Sequence, residues 1–155
     1  MNITLEPIGV VHNDRRDLAD DHWGDVESTI ELDARLPGSS LDGIEGFSHA
    51  EIIYHFHRVP ADAVVTGARH PRDNPAWPRV GILAQRAKAR PNRLGSCIAR
   101  VVRRAPRGLV VVGLDAIDGT PVVDIKPVIA EFLPREPVRQ PEWATELMRH
   151  YWHAI

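Results

Sequence analysis

The sequence predicts a mainly β protein: a small closed or partly closed β-barrel with few short helices and one C-terminal helix. Short runs rich in Val and Ile recur along the chain, with Gly, Pro or Asn near many of their ends. Helical spacing is clear only in the tail. About seven short strands leave exposed edges unless the sheet curls closed, and a barrel removes those edges. At 155 residues and 43% hydrophobic content, the chain suits one compact domain over 1–155 with its own core.

The elements follow in order. Thr4–Val11, Ser28–Leu32, Glu51–Phe56, Val80–Gln85, Ser96–Val102, Leu109–Asp115 and Pro121–Ile125 read as strands. Ala68–Pro78, ARHPRDNPAWP, holds three prolines and reads as an irregular rim or lid, because proline cannot donate to a ladder. Asp118-Gly119 lies between two apolar runs, a hairpin signal since glycine accepts positive φ, so the last strands are expected to form a meander. Pro141–Trp152 reads as the helix, with Pro141 in its first turn. Trp143, Leu147, Met148 and Tyr151 form its stripe, able to pack within the chain or on a second copy in a homodimer.

Charge is unevenly distributed. The net charge is −2, yet no Asp or Glu occurs from Arg79 to Leu114, a segment with nine Lys and Arg residues. Twelve of the twenty-one acids fall between Glu6 and Glu51. The basic stretch is either a solvated face balanced by nearby acids or a surface for a polyanion. No apolar run approaches the roughly 18 residues a membrane span needs, and the start MNITLEPIGVV lacks a basic head and a small-residue cleavage site. A cytoplasmic protein without membrane attachment is expected. The lone Cys97 excludes an internal disulfide and an all-cysteine zinc site.

Several chemistries lose ground at this point. No Gly-rich phosphate loop, GxSxG elbow or Walker lysine is present. His55 and His57 share one strand face and could start a metal site with His49 or His12, but no HExxH, cysteine pair or clustered acid completes it. Two segments remain. In Gln85–Ser96, Pro91 fixes φ, Asn92 tolerates turn conformations and Gly95 leaves room for a ligand at the backbone. In Asp118–Pro127, Asp124 and Lys126 share a strand face that Pro127 ends.

Four blocks occur in sequence: Ile8-Gly9-Val10-Val11-His12, LDGIEGFSH over 41–49, GILAQRAKARPNRLGS over 81–96 and LDAIDGTPVVDIKP over 114–127. They resemble the TsaA-like family, whose characterised members are the S-adenosylmethionine-dependent tRNA methyltransferases known as TrmO. The resemblance implies a small, usually dimeric β-barrel that methylates the exocyclic nitrogen of N(6)-threonylcarbamoyladenosine beside the tRNA anticodon. On the matching positions, Gln85, Arg86, Arg90, Pro91, Asn92, Gly95 and Ser96 would form one wall of the cofactor and substrate site. Asp118, Gly119, Thr120, Asp124 and Lys126 would form the other. Many members read RPNPIG followed by an apolar and then a hydroxyl residue; here Arg93 stands at the second proline and Ser96 falls one position early.

The implied chemistry is consistent with these residue types. Methyl transfer from a sulfonium needs in-line alignment, so the protein contributes chiefly positioning. The acceptor is a ureido nitrogen that reacts more readily on losing its proton; Asp124 is the candidate to accept it and Lys126 to stabilise developing charge. The threonyl carboxylate needs a cation, for which Arg86, Arg90 and Arg93 are candidates. An anticodon loop suits basic residues near an aromatic such as Trp77. Two rivals stay open: a non-catalytic RNA- or nucleotide-binding β-barrel, and a metal-dependent hydrolase on His55 and His57.

Overall fold

A computed structural model describes residues 1–153. Eight strands form: β1 (Gly9–His12), β2 (Glu27–Leu32), β3 (His49–His55), β4 (Ala68–Arg69), β5 (Val80–Gly81), β6 (Leu94–Ala105), β7 (Gly108–Val112) and β8 (Pro121–Pro127). Six close into an antiparallel barrel in the order β1-β2-β7-β6-β3-β8, while β4 and β5 make a separate two-stranded ribbon. The one α-helix among the described residues is α1 (Glu142–Leu147). Among the described residues, no helix is long and apolar enough to cross a membrane.

Alternation explains the core. In β3 (HAEIIYH), Ala50, Ile52 and Tyr54 are buried, and the residues between them are only partly covered. Val11, Ile30, Leu32, Cys97, Ala99, Leu109, Val111 and Val122 join them inside the barrel. Each side chain thus removes its apolar area from water, at roughly 25 cal/mol per Å².

Four expectations need correction. β7 and β8 do not form a hairpin: β7 pairs with β2 and β6, while β8 pairs with β1 and β3. Gly119 does take a positive φ of 82°, but its turn ends a connection that crosses the barrel mouth, burying Leu114 and Ala116 as it goes. The first strand begins only at Gly9, after the exposed segment that ends in Pro7. Residues 80–85 form a two-residue strand and then a 3-10 turn, Ile82–Ala84. The tail helix stops at Leu147, because the N–H groups of His22, Trp23 and Gly24 bond the carbonyls of His150, Tyr151 and Trp152 and draw that segment out of helical geometry.

The charge asymmetry cancels in part in space. Arg72 pairs with Asp21, Lys88 with Asp20, Arg103 with Glu27 and Arg104 with Asp42. Arg86, Arg90 and Arg93 bond backbone carbonyls of Ser96, Gln85 and Val59 instead.

Candidate functional site

Strand β3 lies between β6 and β8, so the two informative blocks occupy its two flanks. Ile53 is paired with Ser96 on one side and with Asp124 on the other; Glu51 is paired with Ile98 and Lys126. On the outer face of these strands, Ser96 Oγ donates to Glu51 Oε1 at 2.6 Å. Lys126 Nζ donates to Asp124 Oδ2, whose other oxygen accepts the Ile125 N–H at 2.9 Å. The bond to Asp124, then its charge, raise the Lys126 pKa, with Glu51 adding a smaller pull. Sequence reasoning missed Glu51, whose significance comes from strand pairing; only its outward phase in an alternating strand was readable.

The basic turn is conformationally unusual. Pro91–Arg93 form a 3-10 turn in which Asn92 has φ 62° and Arg93 φ 51°. Proline is locked near φ −65°, so the turn formed here is one that a proline at position 93 could not adopt. Arg90 Nη1 donates to the Gln85 carbonyl and Arg93 Nη1 to the Val59 carbonyl, both at 2.6 Å. Each guanidinium has five N–H donors, so most remain free after one carbonyl bond.

Gln85 and Gly95 are placed as scaffold. The buried Gln85 amide donates to the Arg69 and Val80 carbonyls at 3.0 and 2.9 Å, fixing the β4–β5 ribbon. At Gly95, a Cβ would fall 2.5 Å from Tyr54 Cε2 and 2.9 Å from Phe56 Cζ. The space expected to admit a ligand there is taken by aromatic rings.

The second block closes the other side. Asp118 Oδ1 accepts the Asn13 N–H at 3.2 Å and lies 3.7 Å from His12 Nδ1, with Arg16 Nε 3.8 Å from Oδ2. Thr120 is buried, and its hydroxyl donates to the Ile117 carbonyl at 2.7 Å. The residues that follow β3 link the blocks: the Phe56 N–H donates to the Arg93 carbonyl at 2.8 Å, and His57 Nε2 lies 3.9 Å from the position a Gly119 Cβ would take.

Beneath this face, Asp115 ties the tail to the barrel. Its two carboxylate oxygens accept from the Tyr54 and Tyr151 hydroxyls, and the Cys97 thiol donates to the Gly113 carbonyl at 3.3 Å. Burial first, then the Asp115 charge, push the pKa of both tyrosines and of Cys97 upward. All three remain protonated donors at neutral pH. The tail stripe therefore packs on its own chain through Tyr151, while Trp77 Nε1 donates to Glu146 at 2.8 Å.

Among the described residues, no group of three His, Cys, Asp or Glu side chains could hold a metal ion. Both His55 and His57 titrate below the ordinary value of 6.5. Burial is the main cause; Arg93 and His57 add to it at His55, and Arg58 at His57. The unfolded chain thus binds protons first as pH falls, so the stability contribution is complete above about 6.5 and declines as pH drops through it. Thermal unfolding between pH 7.5 and 5.5 should show this decline, shallower in the His55→Asn/His57→Gln double variant. An identical pH slope in the two proteins contradicts it.

Residues 19–132 match the tRNA-methyltransferase O N-terminal domain family. A probable S-adenosyl-L-methionine-binding protein of Pyrococcus abyssi is 35% identical over 142 residues, covering 88% of this chain and 74% of that protein. The human tRNA (adenine(37)-N6)-methyltransferase is 36% identical over 105 residues, 68% of this chain but 23% of that protein. A crystal structure of TrmO from Pseudomonas aeruginosa superposes with a TM-score of 0.71 at 26% identity, covering 92% of this chain and 62% of that one.

Proposed function

The chain belongs to the tRNA-methyltransferase O N-terminal domain family, and from that premise we propose that it is an S-adenosylmethionine-dependent methyltransferase. Its acceptor in this reading is the exocyclic nitrogen of N(6)-threonylcarbamoyladenosine in the tRNA anticodon loop. The observation that carries the proposal is that β6, which follows directly on the Arg90-Pro91-Asn92 turn, and β8, which carries Asp124 and Lys126, pair with the two edges of β3.

The residues present fit both carboxylate-bearing molecules the reaction needs. Arg86, Arg90 and Arg93 are fixed by carbonyls, which leaves guanidinium N–H groups for a carboxylate. Pro91 and Asn92 shape the turn that would face the cofactor, and Gly119 keeps the second wall open. The bound cofactor supplies an electrophilic methyl group on a sulfonium. Asp124, paired with Lys126, takes the proton of the ureido nitrogen; Lys126 then balances charge on the acceptor. Ser96 and Glu51 hold the neighbouring strand face in register. Gln85, Gly95, Asp118 and Thr120 act as supports through the contacts described above.

We propose a cytoplasmic location, in keeping with a tRNA substrate, and a homodimer as the working form. Support for the dimer is an arm over residues 128–140 that exposes Ile129, Phe132, Leu133 and Val138. Nucleoside mass spectrometry of tRNA from cells with and without the gene tests the substrate, with calorimetry of the purified chain against S-adenosylmethionine beside it. The expected result is loss of the methylated nucleoside on deletion and measurable cofactor binding. Unchanged tRNA nucleosides would overturn the substrate assignment; absence of cofactor binding would overturn the enzyme.

A further inference from the structure

The histidines of Tyr54-His55-Phe56-His57-Arg58 take no part in the reaction proposed above, yet they sit in a dense basic cluster. Three chain segments meet at this end of β3. From the first, Arg16 reaches Asp118, with its Nε 3.8 Å from Oδ2. From the second, Arg58 Nη1 donates to the Arg16 carbonyl at 3.0 Å, and His57 Nε2 faces the side-chain-free Gly119 turn. From the third, Arg93 Nη1 donates to the Val59 carbonyl, close enough to His55 to disfavour its protonation. The titratable groups acting on His57 are Arg58 and His55, and Asp118, next to Gly119 in the chain, already serves Asn13, His12 and Arg16.

Asp118 compensates Arg16, while Arg58 and Arg93 form no ion pair among the described residues, and a bound anion offsets the repulsion that remains. The cations come from separate chain segments, which suits a tetrahedral oxyanion contacted from several sides. Gly119 presents no side chain in front of His57, so an oxyanion can approach there. We propose that His57, Arg58 and Arg16 form a receptor for one phosphodiester of the RNA strand, next to the nucleotide that enters the site between the two blocks. The inference rests on the RNA-methylating reading for its choice of polyanion. Methylation itself plays no part in its test.

The test uses the full chain and an unmodified anticodon stem-loop. Its dissociation constant is measured over a salt series for wild type, Arg16→Gln, Arg58→Gln and His57→Gln, with cofactor affinity measured alongside. Each arginine variant is expected to weaken RNA binding roughly three- to tenfold and to lower the salt slope by about 1, leaving cofactor affinity unchanged. His57→Gln should weaken binding below pH 6 and have little effect at pH 8, because only the imidazolium contributes a full charge. In wild type, histidine NMR should show the His57 midpoint rising when RNA is added; this second measurement does not depend on a variant folding. Unchanged affinity and slope in the arginine variants would overturn the receptor, as would a His57 midpoint unmoved by RNA. A midpoint moved by inorganic phosphate, in a chain that binds no stem-loop, would overturn the RNA assignment. RNA binding through these residues without methyl transfer would leave the receptor standing and remove the enzyme reading.

Discussion

Gly95→Ala is expected to destabilise the protein by about 2–3 kcal/mol and to suppress cofactor binding with it. The added Cβ would fall 2.5 Å and 2.6 Å from Tyr54 Cε2 and Cζ, and 2.9 Å from Phe56 Cζ. Neither ring can swing aside cheaply. Tyr54 is 1% exposed, packs edge-on to Phe56 with centroids 5.5 Å apart, and is anchored through its hydroxyl to Asp115. Displacing it would also disturb the Asp115 carboxylate that holds Tyr151 and the tail. Urea unfolding measures the effect, with Gly81→Ala as control because a Cβ there meets nothing within 4 Å. A Gly95→Ala protein within about 0.5 kcal/mol of wild type would show that the rings give way, contrary to close packing of the core.

Arg90→Met should reduce kcat/KM for methyl transfer to a threonylcarbamoylated stem-loop by about 30- to 1000-fold, roughly 2–4 kcal/mol. Charge pairing with the ligand carboxylate sets the size of the effect. Arg90 is held by the Gln85 carbonyl and forms no ion pair among the described residues, so its charge is available to a ligand carboxylate. Removing it leaves that carboxylate desolvated and unpaired. Arg90→Lys should recover only part of the loss, since a lysine cannot present the planar fork. The same substitution should affect RNA lacking the threonylcarbamoyl group far less. Equal losses on both RNAs would locate the role of Arg90 in cofactor or backbone binding, and an unchanged kcat/KM would remove it from the site.

The barrel was legible because alternation is local. In β3, one residue in two is apolar and buried, and the phase of Ile52 and Tyr54 is readable without knowing any partner strand. Strand order was not legible. The Asp118-Gly119 pair gave the correct backbone conformation but the wrong connection, because turn chemistry reports φ and does not report which strands the turn joins. The tail helix was read too long for a similar reason: its spacing continues to Tyr151, while backbone bonds to residues 22–24 decide the outcome. Within the site, the two blocks were visible as residue types with special backbone demands. Glu51 and Asp115 were not, since their importance arises only when strands distant in sequence bring Ser96, Tyr54 and Tyr151 to them. The charge runs misled in one respect. Three of the nine cations of the basic stretch, Lys88, Arg103 and Arg104, pair with acids of the N-terminal half, while Arg86, Arg90 and Arg93 are held by backbone carbonyls and form no ion pair among the described residues.

Methyl transfer in a purified system tests whether this chain methylates threonylcarbamoyladenosine. The full chain is incubated with S-adenosylmethionine carrying a labelled methyl group, and with anticodon stem-loops that either bear the N(6)-threonylcarbamoyl group or lack it. The account predicts label on the modified adenosine alone, at its exocyclic nitrogen by fragmentation, and loss of that label in Asp124→Asn. Label on neither RNA, from a folded chain that binds the cofactor, would contradict the assigned substrate, and label on both at equal rates would contradict the role given to the arginines.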